Sequence, residues 1–142
     1  MTAHLREAAS GPQGAFGPHA NGSSMTFGRI LEDLSMSAGA NGAILIDWDG
    51  EIVATWAASD QVDMQLIGAH HEIILDIVKE AASRHDRLDV RHLAITTEKA
   101  RLAISTVKEG YCLVVALGSE RPVGKAILES KRAVERIEEE MG

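Results

Sequence analysis

The chain has 142 residues, of which 45 % are hydrophobic and 4 % aromatic, and its formal net charge is −7 at pH 7. That length suits one domain with a core of Ile, Leu, Val, Ala and Met. An acidic chain with no basic block repels phosphate backbones and anionic lipid, which excludes a general nucleic-acid role.

Cys112 is the sole cysteine, so no intrachain disulfide forms and a reducing compartment is suitable. Met1 to Ser10 lacks an apolar signal core. No apolar run approaches the roughly 18 residues of a membrane helix. A cytoplasmic location without membrane insertion is expected.

Residues 1–24 read as a flexible tail, because Ser10 to Ser24 is rich in Gly, Pro and Ser and has little to bury. From Thr26 the pattern changes. Phe27, Ile30, Leu31 and Leu34 share one helical face, with Thr26 as cap and Gly39 and Asn41-Gly42 as stops, giving a helix over 27–38. Ala43–Asp47 and Glu51–Trp56 then flank an Asp49-Gly50 turn, which predicts a hairpin. Its first run is apolar on both faces, the mark of a strand covered on both sides.

The second helix is expected over 62–84. At about 100° per residue, Leu66, Ile67, His70, Ile73, Ile74, Ile77, Val78 and Ala81 span an arc of roughly 140°, and Met64, His71 and Ala82 extend it. A helix lying on one sheet needs a stripe of little more than about 100°. The excess implies two neighbours: the chain's own sheet and a second surface, such as a partner helix. Three strands follow at Arg91–Thr97, Arg101–Val107 and Tyr111–Leu117, the last apolar on both faces. Pro122 to Glu140 closes the chain as a helix, with Val123, Ile127, Val134 and Ile137 as its buried stripe and Ala126 and Leu128 beside it. The order is α-β-β-α-β-β-β-α, an α/β (α+β) domain.

Several residue groups invite a chemical reading. Gly118 to Ala126 lies between a strand and a helix, where a phosphate-binding loop would lie. Yet five residues separate its glycines, Ala126 replaces the Mg²⁺-binding hydroxyl, and Pro122 removes an N–H. An ordinary strand-to-helix connection fits better. His70 and His71 are adjacent rather than spaced i,i+4, so a metal site with Asp47 or Asp49 is disfavoured. His70, midway across the arc, reads as a buried or interface histidine. Asp47, Asp49 and Glu51 lack the calcium-loop pattern and read as a solvated turn. Cys112 sits on a two-sided apolar strand, as a core residue does. No G-x-S-x-G elbow occurs, and His85-Asp86-Arg87 reads as a polar helix exit. No catalytic residue, cofactor or metal is expected, which points toward binding.

Three stretches carry a family resemblance: Phe27–Ala38 leading into Gly42–Asp47 and the Asp49-Gly50 turn, Leu93–Thr97 with Leu102–Ile104, and Leu113–Leu117 followed by Val123–Ile127. Over residues 26–141 the chain resembles the roadblock (dynein-light-chain) family and its bacterial MglB-type GTPase regulators, with the domain set at 25–142. The resemblance implies a five-stranded antiparallel sheet, two helices on one face and one on the other. It implies a homodimer in which the strand after the second helix pairs with its copy and the two second helices pack together. The interface would then include Leu66, Ile67, His70, His71, Ile74, Val78, Leu93, Ile95 and Thr97. Family dimers act as platforms for Ras-like small GTPases or as adaptors. The MglB type stimulates GTP hydrolysis without contributing a catalytic residue, and the helix-pair side meets the GTPase. Gln65, Glu72, Asp76, Lys79 and Glu80 are the corresponding rim positions. The expected function is a non-enzymatic regulator or platform for such a GTPase. The alternatives are a structural adaptor of the same fold, or a nucleotide-binding enzyme using Gly118–Ala126.

Overall fold

A computed structural model describes residues 22–84 and 90–142. In chain order they form α1 (Gly22–Ala38), β1 (Gly42–Ile46), β2 (Ile52–Ala57), α2 (Met64–Ser83), β3 (His92–Thr96), β4 (Ala100–Thr106), β5 (Cys112–Gly118) and α3 (Val123–Met141), with a short 3₁₀ turn at Lys108–Gly110. The element order is the one expected. Most of the tail read over 1–24 and the His85-Asp86-Arg87 exit lie outside the described residues. Residues 22–24 belong to α1, and Thr26 lies inside that helix rather than capping it. A hydrophobic pattern marks the apolar part of a helix and is blind to a polar first turn.

The five strands make one antiparallel sheet in the order β2-β1-β5-β4-β3. Alternation along each strand sends side chains to opposite faces. Ala43 and Leu45 of β1, Ala103 of β4, and Leu113, Val115 and Leu117 of β5 meet Phe27, Ile30, Leu31 and Leu34 of α1 and Ala126, Ala133 and Ile137 of α3. On the other face Ile44, Ile46, Leu102, Ile104, Cys112, Val114 and Ala116 meet Met64 and Leu75 of α2. β1 is buried throughout and β5 nearly so, as two-sided apolar runs require. β2 and β3 are the edges.

Two glycines set the fit of the helices. Gly39 (φ +68°) ends α1 in the left-handed conformation, and the Ala40 N–H reaches back to the Ser35 carbonyl at 2.8 Å. The Arg121 guanidinium lies over Gly39, where a Cβ would stand 3.0 Å from Nη1, and it offers positive charge to the carbonyl end of α1. Gly68 lets α2 lie close on β1: a Cβ there would be 2.8 Å from Ile46 Cδ1.

The α3 stripe is centred differently from the expectation. Its buried residues are Ala126, Ser130, Ala133 and Ile137. Val123, Ile127 and Val134 flank them half-buried, and Leu128 is 50 % exposed. Small side chains let α3 approach α1 and the sheet, and a reading weighted by hydrophobicity favours the larger flanking residues instead.

Candidate functional site

The broad apolar arc of α2 divides between two environments. Ile67, His71 and Val78 are half-buried, Ile67 against the α2-side core, while Leu75 is 2 % exposed at the centre of the sheet-facing side. The other half of the arc faces outward: Ile73 is 60 %, Ile74 37 % and Ile77 62 % exposed, and Ala81 lies on the same side. His70 is exposed in the single chain, which corrects the expectation of burial within it; an interface position stays open to it. Leu66 and Gln65 lie in the first turn of α2, and their side chains are outside the described residues, as is that of Ala82. Leu75 lay outside the arc read from sequence, although it is the arc's sheet-side neighbour.

At the sheet edge, Leu93 and Ile95 of β3 pack half-buried against the α2-side core. Thr97 stands just past β3 and closes the β3–β4 turn: its N–H donates to the Ala100 carbonyl at 2.8 Å, and its Oγ1 accepts from the Ala100 N–H at 3.1 Å. Among the described residues, the outer side of β3 has no neighbouring strand in the sheet. One chain therefore presents an open strand edge together with an apolar helix face.

The other flank of α2 is polar and meets the β1–β2 turn. Glu72 Oε1 lies 3.3 Å from where a Cβ would sit on Gly50. Burial, then Asp76 and Asp47, raises the Glu72 carboxyl above its ordinary value of 4.5. Asp76 is exposed and Lys79 half-buried. Glu80 is exposed and pairs with Arg84 at 2.6 Å. In the turn, Asp47 Oδ1 accepts from the N–H groups of Asp49 (2.8 Å) and Glu51 (2.9 Å). That carboxylate thus shapes the backbone. Among the described residues no three His, Cys, Asp or Glu side chains are grouped to hold a metal ion. His71 Nδ1 meets the Ile67 carbonyl at 2.7 Å, one helical turn back.

The remaining sequence candidates separate in space. Cys112 is buried, and burial foremost, with Glu72 and Asp76 adding to it and Lys79 opposing, pushes its thiol up to about 12. A thiol so held is no nucleophile at neutral pH. In the Gly118–Ala126 connection, the Arg121 N–H closes a turn on the Gly118 carbonyl at 3.1 Å. Pro122 caps α3 without a side-chain bond. No helix among the described residues is long and apolar enough to cross a membrane.

An antiparallel five-stranded sheet with two helices behind and one in front defines the class. The Roadblock/LC7 domain model matches residues 26–117, and the chain belongs to that family. Its fold is similar to "MglB with tetrameric arrangement" (TM-score 0.76, 20 % identity, 84 % of this chain and 90 % of that one). It is also similar to Myxococcus xanthus MglB (TM-score 0.74, 15 % identity, 84 % and 90 % covered). A Roadblock/LC7 domain from Streptomyces avermitilis aligns at TM-score 0.71 and 20 % identity, over 80 % of this chain and 96 % of that one. No curated protein matches the sequence.

Proposed function

We propose that the chain is a homodimeric, non-enzymatic regulator or platform for a bacterial Ras-like small GTPase, working in the cytoplasm. The observation that carries the dimer is the row Ile73, Ile74 and Ile77, exposed on α2 in a chain whose β3 has no further neighbouring strand among the described residues. A row of this kind exposed to water is unfavourable, and a monomer rarely keeps it. Pairing two β3 edges satisfies their free N–H and C=O groups, and it brings the outer faces of two α2 helices together about a two-fold axis. His70 then enters the helix contact, and Leu93 and Ile95 lie beside the seam.

The GTPase reading is supported by membership of the Roadblock/LC7 family and by the likeness to MglB. The polar flank of α2, with Glu72, Asp76, Lys79 and Glu80 and with Gln65 two turns before Glu72, is the proposed contact rim. The test measures binding of a purified Ras-like GTPase, loaded with GTP or GDP, and then its GTP turnover with and without this protein. Binding that prefers one nucleotide state, with altered turnover, is the expected result. Binding with unchanged turnover would make the protein an adaptor of the same fold. Absence of binding in both states would overturn the GTPase reading.

A further inference from the structure

Trp48 is 69 % exposed at the tip of the β1–β2 hairpin, whereas Trp56 packs against the core. Such exposure is unusual for the side chain with the largest apolar surface. The tip is firmly built. Asp47 Oδ1 holds two backbone N–H groups, the Gly50 N–H donates to the Asp47 carbonyl at 3.0 Å, and Gly50 takes φ +87°. Behind the tip, the β4–β5 turn presses against Trp48: a Cβ on Gly110 would stand 3.0 Å from Trp48 Cβ. The indole is thus presented from a fixed platform, so little ordering is lost when something docks on it.

The surroundings of Trp48 are chemically one-sided. Asp47, Asp49 and Glu51 share its turn, Glu109 precedes the abutting Gly110, and Glu72 reaches the turn from α2, with Asp76 one helical turn behind it. Lys79 and Lys108 are the cations on the same elements. Glu109 holds its carboxylate in left-handed backbone (φ 63°, ψ 25°), where Gly or Asn is the usual occupant.

We propose that Trp48 anchors the partner contact, seating a Lys- or Arg-bearing segment of the partner protein on its indole face inside this collar of carboxylates. The charge complementarity is specific. A cation gains from the ring face and from the surrounding negative field together, while nucleic acid and anionic lipid are repelled by the same collar. An exposed aromatic at the centre of a charged rim also has the form of a binding hot spot. This inference rests on the reading of the α2 flank as the partner rim, and it moves the centre of that contact to the hairpin tip.

The test titrates the Ras-like GTPase, in both nucleotide states, into the wild type, Trp48→Ala and Trp48→Phe. Trp48→Ala is expected to weaken binding by at least about tenfold, with dimerisation and melting unchanged. Trp48→Phe should fall between the two, and added salt should weaken the wild type most. Binding of Trp48→Ala within about twofold of the wild type overturns the proposal and leaves the GTPase reading intact. If no GTPase binds the wild type, that reading fails alone, and Trp48 is judged by an arginine-rich peptide. Saturable fluorescence quenching, absent from the Trp48→Phe trace and reduced by Asp49→Asn with Glu72→Gln, supports the proposal. Unchanged Trp48 fluorescence with the peptide overturns it.

Discussion

Replacing Ile77 by glutamate probes the proposed dimer at its most exposed isoleucine. Ile77 is 62 % exposed in one chain, and full burial of such a side chain is worth about 1.5–3 kcal/mol. Covering the remaining surface therefore contributes about 1–2 kcal/mol per chain. The two-fold axis doubles this to about 2–4 kcal/mol per dimer. Two carboxylates brought into the helix contact add a desolvation cost. A total loss of at least about 3 kcal/mol weakens the dimer constant by roughly 100-fold or more. The single chain should tolerate the change, because an exposed position rarely moves stability by more than about 0.5 kcal/mol. Leu75→Glu is the contrast. Leu75 is 2 % exposed under the sheet, and an unpaired carboxylate there costs several kcal/mol out of the roughly 5–15 kcal/mol that hold a domain together. Sedimentation equilibrium with circular dichroism separates the outcomes: Ile77→Glu gives a folded monomer and Leu75→Glu an unfolded chain. An unchanged dimer constant for Ile77→Glu would refute the placement of the interface, and an unfolded Ile77→Glu would refute the division of α2 into two faces.

Three further outcomes follow from the interior and the β3 edge. Burial, then Lys131 and Arg91, hold His92 below its ordinary value of 6.5, and its neutral Nδ1 meets Ser105 Oγ at 2.8 Å. The unfolded chain takes up that proton first, so stability is complete above about pH 6.5 and falls as the pH drops below it. Urea midpoints at pH 7.5 and 5.5 should differ less in His92→Asn than in the wild type. Cys112, with its thiol pushed up to about 12, should react with iodoacetamide at pH 8 far more slowly in native protein than in urea. Ser130 buries a hydroxyl with no hydrogen-bond partner among the described residues, so Ser130→Ala should raise stability by up to about 1 kcal/mol, read as a higher melting temperature.

The sheet was legible in the sequence because β1 and β5 are apolar on both faces, and only a strand covered twice needs that pattern. The first hairpin was legible through Asp49-Gly50. On α2 the width of the apolar arc was readable but its division was not. Isoleucines at 73, 74 and 77 and leucine at 75 are equally hydrophobic, and periodicity cannot separate a sheet-facing side chain from one facing a second surface. Gly68 supplies the missing information: its lack of a side chain marks the line along which α2 touches β1. On α3 the same weakness shifted the stripe, since Ala126, Ser130 and Ala133 count little on a hydrophobic scale yet sit deepest.

The sheet's two edges have different fates. β3 offers a straight five-residue register to β4, and a two-fold pairing of β3 with its copy consumes both such edges at once. The β2 edges then lie at the far ends of the joined sheet. Head-to-tail addition of β2 onto β3 would have no such stopping point and would grow into a ribbon. The register shift between Leu45 and Ile46, where β1 meets β2, breaks the regular ladder beside that outer strand. In the proposed dimer, a symmetric seam at one end and an irregular margin at the other would make assembly self-limiting.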